Sequence, residues 1–400
     1  MASPLSGVLV LDLSRVLSGP YATQQLIDLG ARVLKIEEPN KGDDTRGFGP
    51  PFVGGESTYF MSINRGKESV AVDLKHPEGR GLIQRLAAKA DVVVENFKPG
   101  TVDRLGLPLA SLRAASPRLI TCSISGYGAG GDPEFAGRPG YDAVIQAASG
   151  LMALTGAIDG PPSRFGVAIA DLVTGLFAAQ GILAALFARE RTGRGQHLDI
   201  TMQESMAALL TYQAGIYFAT GSSPPRMGDA HPSICPYESL RTQDGLYMLA
   251  VGNDAQFQRL MKLLGLEGLA QDPRFVTNRA RVTNRPALLE HIRPKFEAKT
   301  SSDWDRILSG EGIPGGPVLD VQQAIEHPQL RARGTVKTTV HPAAGQIRAV
   351  RSPVRLEEEA PFPAPPPLLG EHTRSVLGEV LGLDADALAT LIRAGAIHPR

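Results

Sequence analysis

The feature that most limits this chain is a repeated exchange of two periodicities over its first 125 residues. Gly7–Leu13 (GVLVLDL) is an apolar run suited to a strand buried on both faces. A helical stretch from Pro20 to Leu29 follows, with proline near its start and Gly30 at the stop. Ala31–Glu37 reads as a second strand. The unit returns as Val70–Leu74, a helix over Pro77–Ala90 and Val92–Glu95, then as a short helix at Leu109–Ala115 and a strand at Leu119–Ser125. Strands alternating with helices of this length mean βαβ crossovers and a parallel sheet. The expected class is α/β, with a Rossmann-like large domain.

The character changes after Gly126. Residues 126–170 are loop punctuated by glycine and proline, with a helix near Ala143–Ala148. Leu172–Ala188 is almost wholly apolar, and a membrane span wants about 20 such residues. This run is shorter, rich in Ala and Gly, and carries Gln180, so a buried core helix and no membrane association are expected. A strand at His197–Thr201 and a helix from Glu204 to Ala219 lead to Gly221–Arg226, a linker. Ser239–Thr242 and Leu246–Val251 flank a hairpin turn, and helical segments cover Phe257–Leu264 and Pro286–Ala298. Short strands over Gly334–Val354, a solvated acidic run at Glu357–Glu359, an extended tether at Pro361–Pro367 and helices at Thr373–Leu381 and Ala385–Ala394 close the chain. The division expected is a first part of a large domain at 1–200, a linker helix at 201–225, a small α+β domain at 226–325, and a return segment at 326–400 that completes the large domain.

Composition excludes several functions. Lys plus Arg equal Asp plus Glu at 41 each, so the chain lacks the basic excess of a nucleic-acid binder. Cys122 and Cys235 alone make no disulfide framework and no zinc site, so no metal is expected. The opening MASPLSG has neither a basic nor an apolar leader region. A cytoplasmic location is expected, or the mitochondrial matrix after removal of a presequence.

Gly126-Tyr127-Gly128-Ala129-Gly130-Gly131 matches a dinucleotide fingerprint in letters only. That fingerprint needs a helix N-terminus next, and Asp132, Pro133 and Arg138-Pro139-Gly140 prevent one. Asp171 stands at the foot of the apolar helix, where it reads either as an N-cap or as a carboxylate nucleophile beside glycine-rich loops. Arg15 follows the first strand, Lys75 the third and Asn96-Phe97-Lys98 the fourth, with Arg104 beyond. These β-ends are where open α/β sheets bind ligands, although single Lys or Arg residues there also serve as plain rim charge.

Several longer motifs together carry a family resemblance. Pro4-Leu5-Ser6-Gly7 with Val10–Leu13 and Gly19-Pro20, Gly42-Asp43-Asp44-Thr45-Arg46, Val94–Gly100, Gly140-Tyr141-Asp142, Thr192–Gln196 and Pro367–Thr373 resemble the class III CoA-transferases from end to end. Gly49–Gly54 with Glu56–Tyr59 is most similar to the branch that acts on succinate and hydroxymethylglutarate or glutarate.

The resemblance implies a coenzyme A thioester as co-substrate, no tightly bound cofactor, and transfer of CoA from succinyl-CoA to a small dicarboxylic acid. It puts the nucleophile on Asp171. It puts CoA contacts on Leu17, Ser18, Val72, Asp73, Leu74, Lys75, Asn96, Phe97, Lys98, Arg104, Pro139, Gly140, Tyr141 and Asp142. Lys75, Lys98 and Arg104 would form a local basic rim for phosphate. Arg15, Arg46 and His231 are candidates for holding the acid. The family also implies an interlocked homodimer. Related 2-methylacyl-CoA racemases carry a proton-transferring histidine where Tyr141 stands, and a phenol titrating at about 10 is a weak base near neutrality. That departure favours transfer over racemisation. Residues 228–237 lack the glycine-rich lid of formyl-CoA transferases, which points away from oxalate and leaves itaconate, mesaconate and malate as alternative acids.

Overall fold

The computed structural model describes residues 3–357 and 361–400; Glu358 and Glu359 of the acidic run lie outside them. The chain forms two compact units. The larger comprises residues 1–151, 165–215 and 329–400, and the smaller comprises 152–164 and 216–328. Residues 152–164, which the sequence alone groups with the first segment, cluster with the smaller unit.

The larger unit is built on six parallel strands: β1 (Leu9–Asp12), β2 (Arg32–Glu37), β3 (Glu68–Ala71), β4 (Val92–Glu95), β5 (Ile120–Ser125) and β6 (His197–Thr201). Their order is β3-β2-β1-β4-β5-β6. Side chains alternate between two apolar layers, as the strand period of two requires. Val10, Val33, Val92 and Val94 enter one layer, with helices α1 (Ser18–Asp28) and α3 (Ile169–Thr192). Leu11, Leu34, Ile36, Val70 and Val93 enter the other, with the helices at Pro77–Ala87, Leu109–Ala115, Thr373–Leu381 and Ala385–Arg393. Burial on both faces is why these strands read as unbroken apolar runs.

The apolar run at 172–188 lies within α3, 24 residues long and apolar enough by length and composition to cross a membrane. Its Ala178, Ile182, Ala185 and Leu186 pack into the sheet layer, as a core helix does. The C-terminal segment docks on the β3 edge. Val72 bridges Ile397, Thr373 Oγ1 accepts the Ala71 N–H at 3.0 Å, and Ser69 Oγ accepts the Gly370 N–H at 2.9 Å. The strand expected at Val70–Leu74 therefore ends three residues early, because the chain beyond Ala71 pairs with the tail. The helix expected at Glu204–Ala219 is two helices, Met202–Leu209 and Thr211–Thr220, broken where Thr211 takes φ +38°.

In the smaller unit, an antiparallel sheet of Tyr237–Arg241, Leu246–Ala250 and Gly315–Pro317 packs with helices Asp254–Leu263, Arg285–Phe296 and Ser301–Gly310 around Phe257, Phe296 and Trp304.

Candidate active site

Strand order in the large sheet reverses between β1 and β4, and the chain after each leads away in opposite directions. That geometry opens a crevice at their carboxyl ends. A cavity of about 280 Å³ lies there, lined by residues 15, 16 and 18 after β1, 96–99 after β4, 124–126 from β5, 138–141, and Asp171.

The loop Ser14–Ser18 after β1 is held on both sides. Asn96 Oδ1 accepts the Arg15 N–H and its Nδ2 donates to the Arg15 carbonyl, both at 2.7 Å. On the other side, Asp43 Oδ1 accepts the Val16 N–H at 3.2 Å, and the Lys35 ammonium donates to the Ser14 carbonyl at 3.0 Å. Val16 sits at φ +66°, a left-handed conformation costly for a β-branched residue and sustained only where surroundings enforce it.

Beneath the loop runs a buried charged network. Lys35 pairs with Asp43 at 2.8 Å and Lys67 with Asp12 at 2.9 Å, all four side chains fully buried. Burial pushes the Lys67 ammonium down to about 8 against the pull of Asp12. Burial works against the Asp43 carboxylate too, but Lys35 and Thr45 outweigh it and hold Asp43 near 2.

Asp171 occupies the first turn of α3 but does not cap it. The cap position is Ala168, whose methyl group makes no capping hydrogen bond. Asp142, which opens helix α2 (Asp142–Ala148), reaches across instead: its Oδ1 accepts the Ala170 N–H at 2.8 Å and its Oδ2 accepts from Gln146 at 2.7 Å. The N-cap reading of Asp171 is thereby overturned, because another carboxylate does that work. Asp171 is left facing the Ser18 hydroxyl and backbone N–H, both of which favour its ionised form. Burial, helped by the Asp142 charge, raises its carboxyl to about 7 in spite of those two donors. Tyr59 faces the same group; burial and the charges of Asp171, Asp142 and Asp43 lift its phenol to about 12.

The glycine-rich stretch after β5 also gains a physical reason. A Cβ on Gly126 would stand 2.5 Å from the Gly140 Cα, and one on Gly140 would stand 2.4 Å from the Gly126 Cα. Two backbone segments cross in contact in the cavity wall, which only glycine allows.

Of the residues singled out from sequence, Arg15, Ser18, Asn96, Phe97, Lys98, Pro139, Gly140, Tyr141 and Asp171 line this cavity. Leu17 is buried at the α1 cap position. Val72–Lys75 follow β3, where Val72 is core and the Lys75 carbonyl accepts from Arg80. Arg104 bonds Thr101 at 2.8 Å. Arg15 is ion-paired with Asp44 at 2.5 Å, whereas Lys98 has no carboxylate partner among the described residues. Tyr141 is 74 % exposed at the rim.

Two substrate candidates lie outside this lining. Arg46 is bidentate to Glu37 at 2.7 Å, bonds the Pro367 carbonyl, and covers the Phe60 ring at 3.6 Å. Its guanidinium is spent on structure and is absent from the cavity lining. His231 belongs to the smaller unit, where its Nδ1 accepts the Ser233 N–H at 3.0 Å and its ring packs on Tyr237. Sequence reasoning missed Val16, Asp44, Arg138 and Met202 in the wall, and Tyr59 beside Asp171. The Gly42–Arg46 motif was the one signal that could have led to the loop.

Residues 5–373 match the sequence model described as CoA-transferase family III. The chain is 44 % identical over 396 residues to a succinyl-CoA:glutarate CoA-transferase of Mus musculus, covering 99 % of this chain and 90 % of that one. It is 44 % identical over 331 residues to an acetyl-CoA:oxalate CoA-transferase of Acetobacter aceti, covering 82 % and 84 %. Among solved structures, a CAIB/BAIF family protein from Brucella suis superposes with a TM-score of 0.84 at 43 % identity, covering 95 % of this chain and all of that one.

Proposed function

The chain belongs to CoA-transferase family III, and from that membership we propose that it moves coenzyme A from succinyl-CoA to a small dicarboxylic acid, with Asp171 as nucleophile. The observation that carries this reading is the Asp171 carboxylate in the cavity wall, released from capping and facing two Ser18 donors.

In the proposed sequence, ionised Asp171 attacks the thioester carbonyl of the donor. The C–S bond breaks, and CoA leaves as thiolate from a mixed anhydride. The thiolate then attacks the aspartyl carbonyl, releasing the donor acid and leaving an aspartyl-CoA thioester. The acceptor carboxylate attacks that thioester and expels the thiolate again. The thiolate takes the acceptor's acyl group, and Asp171 returns as carboxylate. Every nucleophile and leaving group is an anion, so no step needs a general base. That fits a wall in which Tyr141 stands where the related racemases carry a histidine. The Ser18 N–H and hydroxyl face the aspartyl carboxyl, and a preorganised donor of this kind is typically worth roughly 3–4 kcal/mol in the transition state. Lys98, with no carboxylate partner among the described residues, is suited to a CoA phosphate.

Asp171→Ala is expected to abolish transfer, and treatment of the wild-type chain with succinyl-CoA and hydroxylamine to label Asp171, read by mass. Turnover of the variant at the wild-type rate would falsify the scheme. The glutarate and oxalate relatives share the same identity with this chain, so the acceptor is settled by a panel of dicarboxylic acids assayed against succinyl-CoA. Glutarate is expected to lead it.

We further propose a homodimer. Helix Thr211–Thr220 is apolar yet buries none of its residues, with Tyr212, Tyr217 and Phe218 more than half exposed. An apolar face of that kind favours a protein partner.

A further inference from the structure

The Gly42–Arg46 motif faces no substrate carboxylate through Arg46, yet Asp43 is 2 % exposed and touches the loop that carries Ser18. We propose that Asp43 is a positioning residue: with Lys35 it locks Val16 in its left-handed conformation and so aims the Ser18 N–H and hydroxyl at Asp171. The proposal rests on the reading of Asp171 as nucleophile.

Six contacts carry it. Asp43 Oδ1 accepts from the Val16 N–H at 3.2 Å and from the Thr45 N–H and hydroxyl at 2.9 and 2.7 Å. The Lys35 ammonium, on Asp43 Oδ2 at 2.8 Å, also takes the Ser14 carbonyl at 3.0 Å. The Asp43 N–H in turn donates to Glu37 Oε2 at 2.9 Å, so the carboxylate is fixed to β2 rather than to the loop it restrains. Two residues past Val16, Ser18 begins α1 at the site. A left-handed valine returns to the β or α region when its restraint is lost, and that rotation turns the following N–H groups away.

The pH profile separates positioning from charge. Asp171 faces Asp142 and Tyr59, and the Ser18 donors favour its ionised form. Asp43 itself faces Lys35, Thr45 and, at longer range, Tyr59 and Lys67. Losing the Asp43 charge alone would lower the Asp171 inflection, whereas losing the Ser18 donors raises it.

Two variants avoid stranding a buried charge. Asp43→Glu keeps the pair with Lys35 but is one methylene too long for the Val16 N–H. Asp43→Leu with Lys35→Met removes both charges and the acceptor of the Val16 N–H together. Each is expected to lower kcat roughly tenfold with KM for the acyl-CoA within about twofold, and to move the kcat/KM inflection upward. Adding Val16→Gly, which takes φ +66° without strain, is expected to restore at least threefold of the lost kcat. An unmoved or lowered inflection in Asp43→Glu, or wild-type kcat in that variant, overturns the proposal. Absence of a trapped Asp171 adduct in the wild-type chain sinks the nucleophile reading and this proposal with it. An adduct with unaffected Asp43 variants sinks this proposal alone.

Discussion

Asp171 is governed by two neighbours of opposite effect. The Asp142 charge disfavours its ionised form, and the Ser18 donors favour it. Because the carboxyl is raised to about 7, kcat/KM should rise with pH and level off above neutrality. Asp142→Asn is expected to shift that inflection downward, since a like charge is removed while the amide oxygen can still accept the Ala170 N–H. Ser18→Ala should shift it upward and cost roughly tenfold or more in kcat. Equal shifts of one sign in both variants would contradict the geometry. From residue spacing alone, Asp171 was legible as a cap or a nucleophile, and it was the family resemblance that put the nucleophile there. The choice depends on Asp142, 29 positions away, reaching Ala170 first.

Among elements, the pairing of α1 with α3 places the site. A Cβ on Gly175 would stand 2.6 Å from the Ser18 carbonyl and 3.3 Å from the Ala22 nitrogen. Gly175 is one helical turn beyond Asp171, so the face that admits α1 is also the face that presents the carboxylate. Helix propensity alone would make Gly175→Ala stabilising by about 1 kcal/mol. The backbone contact opposes this with a rigid obstacle, and we expect it to win. The variant should melt lower than wild type and lose roughly ten- to a hundredfold in kcat, read by thermal unfolding and initial rates. Higher stability with full activity would show that the helices have room to move apart. Segment 228–237, which lacks the glycine-rich lid of formyl-CoA transferases, is stapled within its own unit. Arg285 donates to the His231 and Ile234 carbonyls, Arg281 to that of Cys235, and Asn278 to that of Ser233. These anchors come from 45 or more positions downstream of the residues they hold, and no local pattern announces them.

The whole molecule should carry the site's pH signature in its stability. Asp171 has a folded value above its ordinary 3.8, so its contribution is complete below 3.8 and is lost as pH rises through about 7. Asp171→Asn should therefore raise the urea midpoint by a margin that grows between pH 4 and pH 7, worth a few kcal/mol at most given its partial exposure. Asp43 acts in the opposite sense: its contribution is present above 3.8 and disappears as pH falls toward about 2. Acid unfolding that began with no change in the Asp43 variants would contradict that assignment. Sequence by itself determined the parallel sheet, because strands buried on both faces must be written as apolar runs, and it located the β-ends that line the cavity. It also carried the family, through motifs spread along the chain. Only the tertiary structure decided what each polar residue does there. Arg46 turns to Glu37, Asp142 takes the helix cap, and Asp43 holds Val16, because each side chain goes to the partner nearest in space, and sequence does not encode those distances.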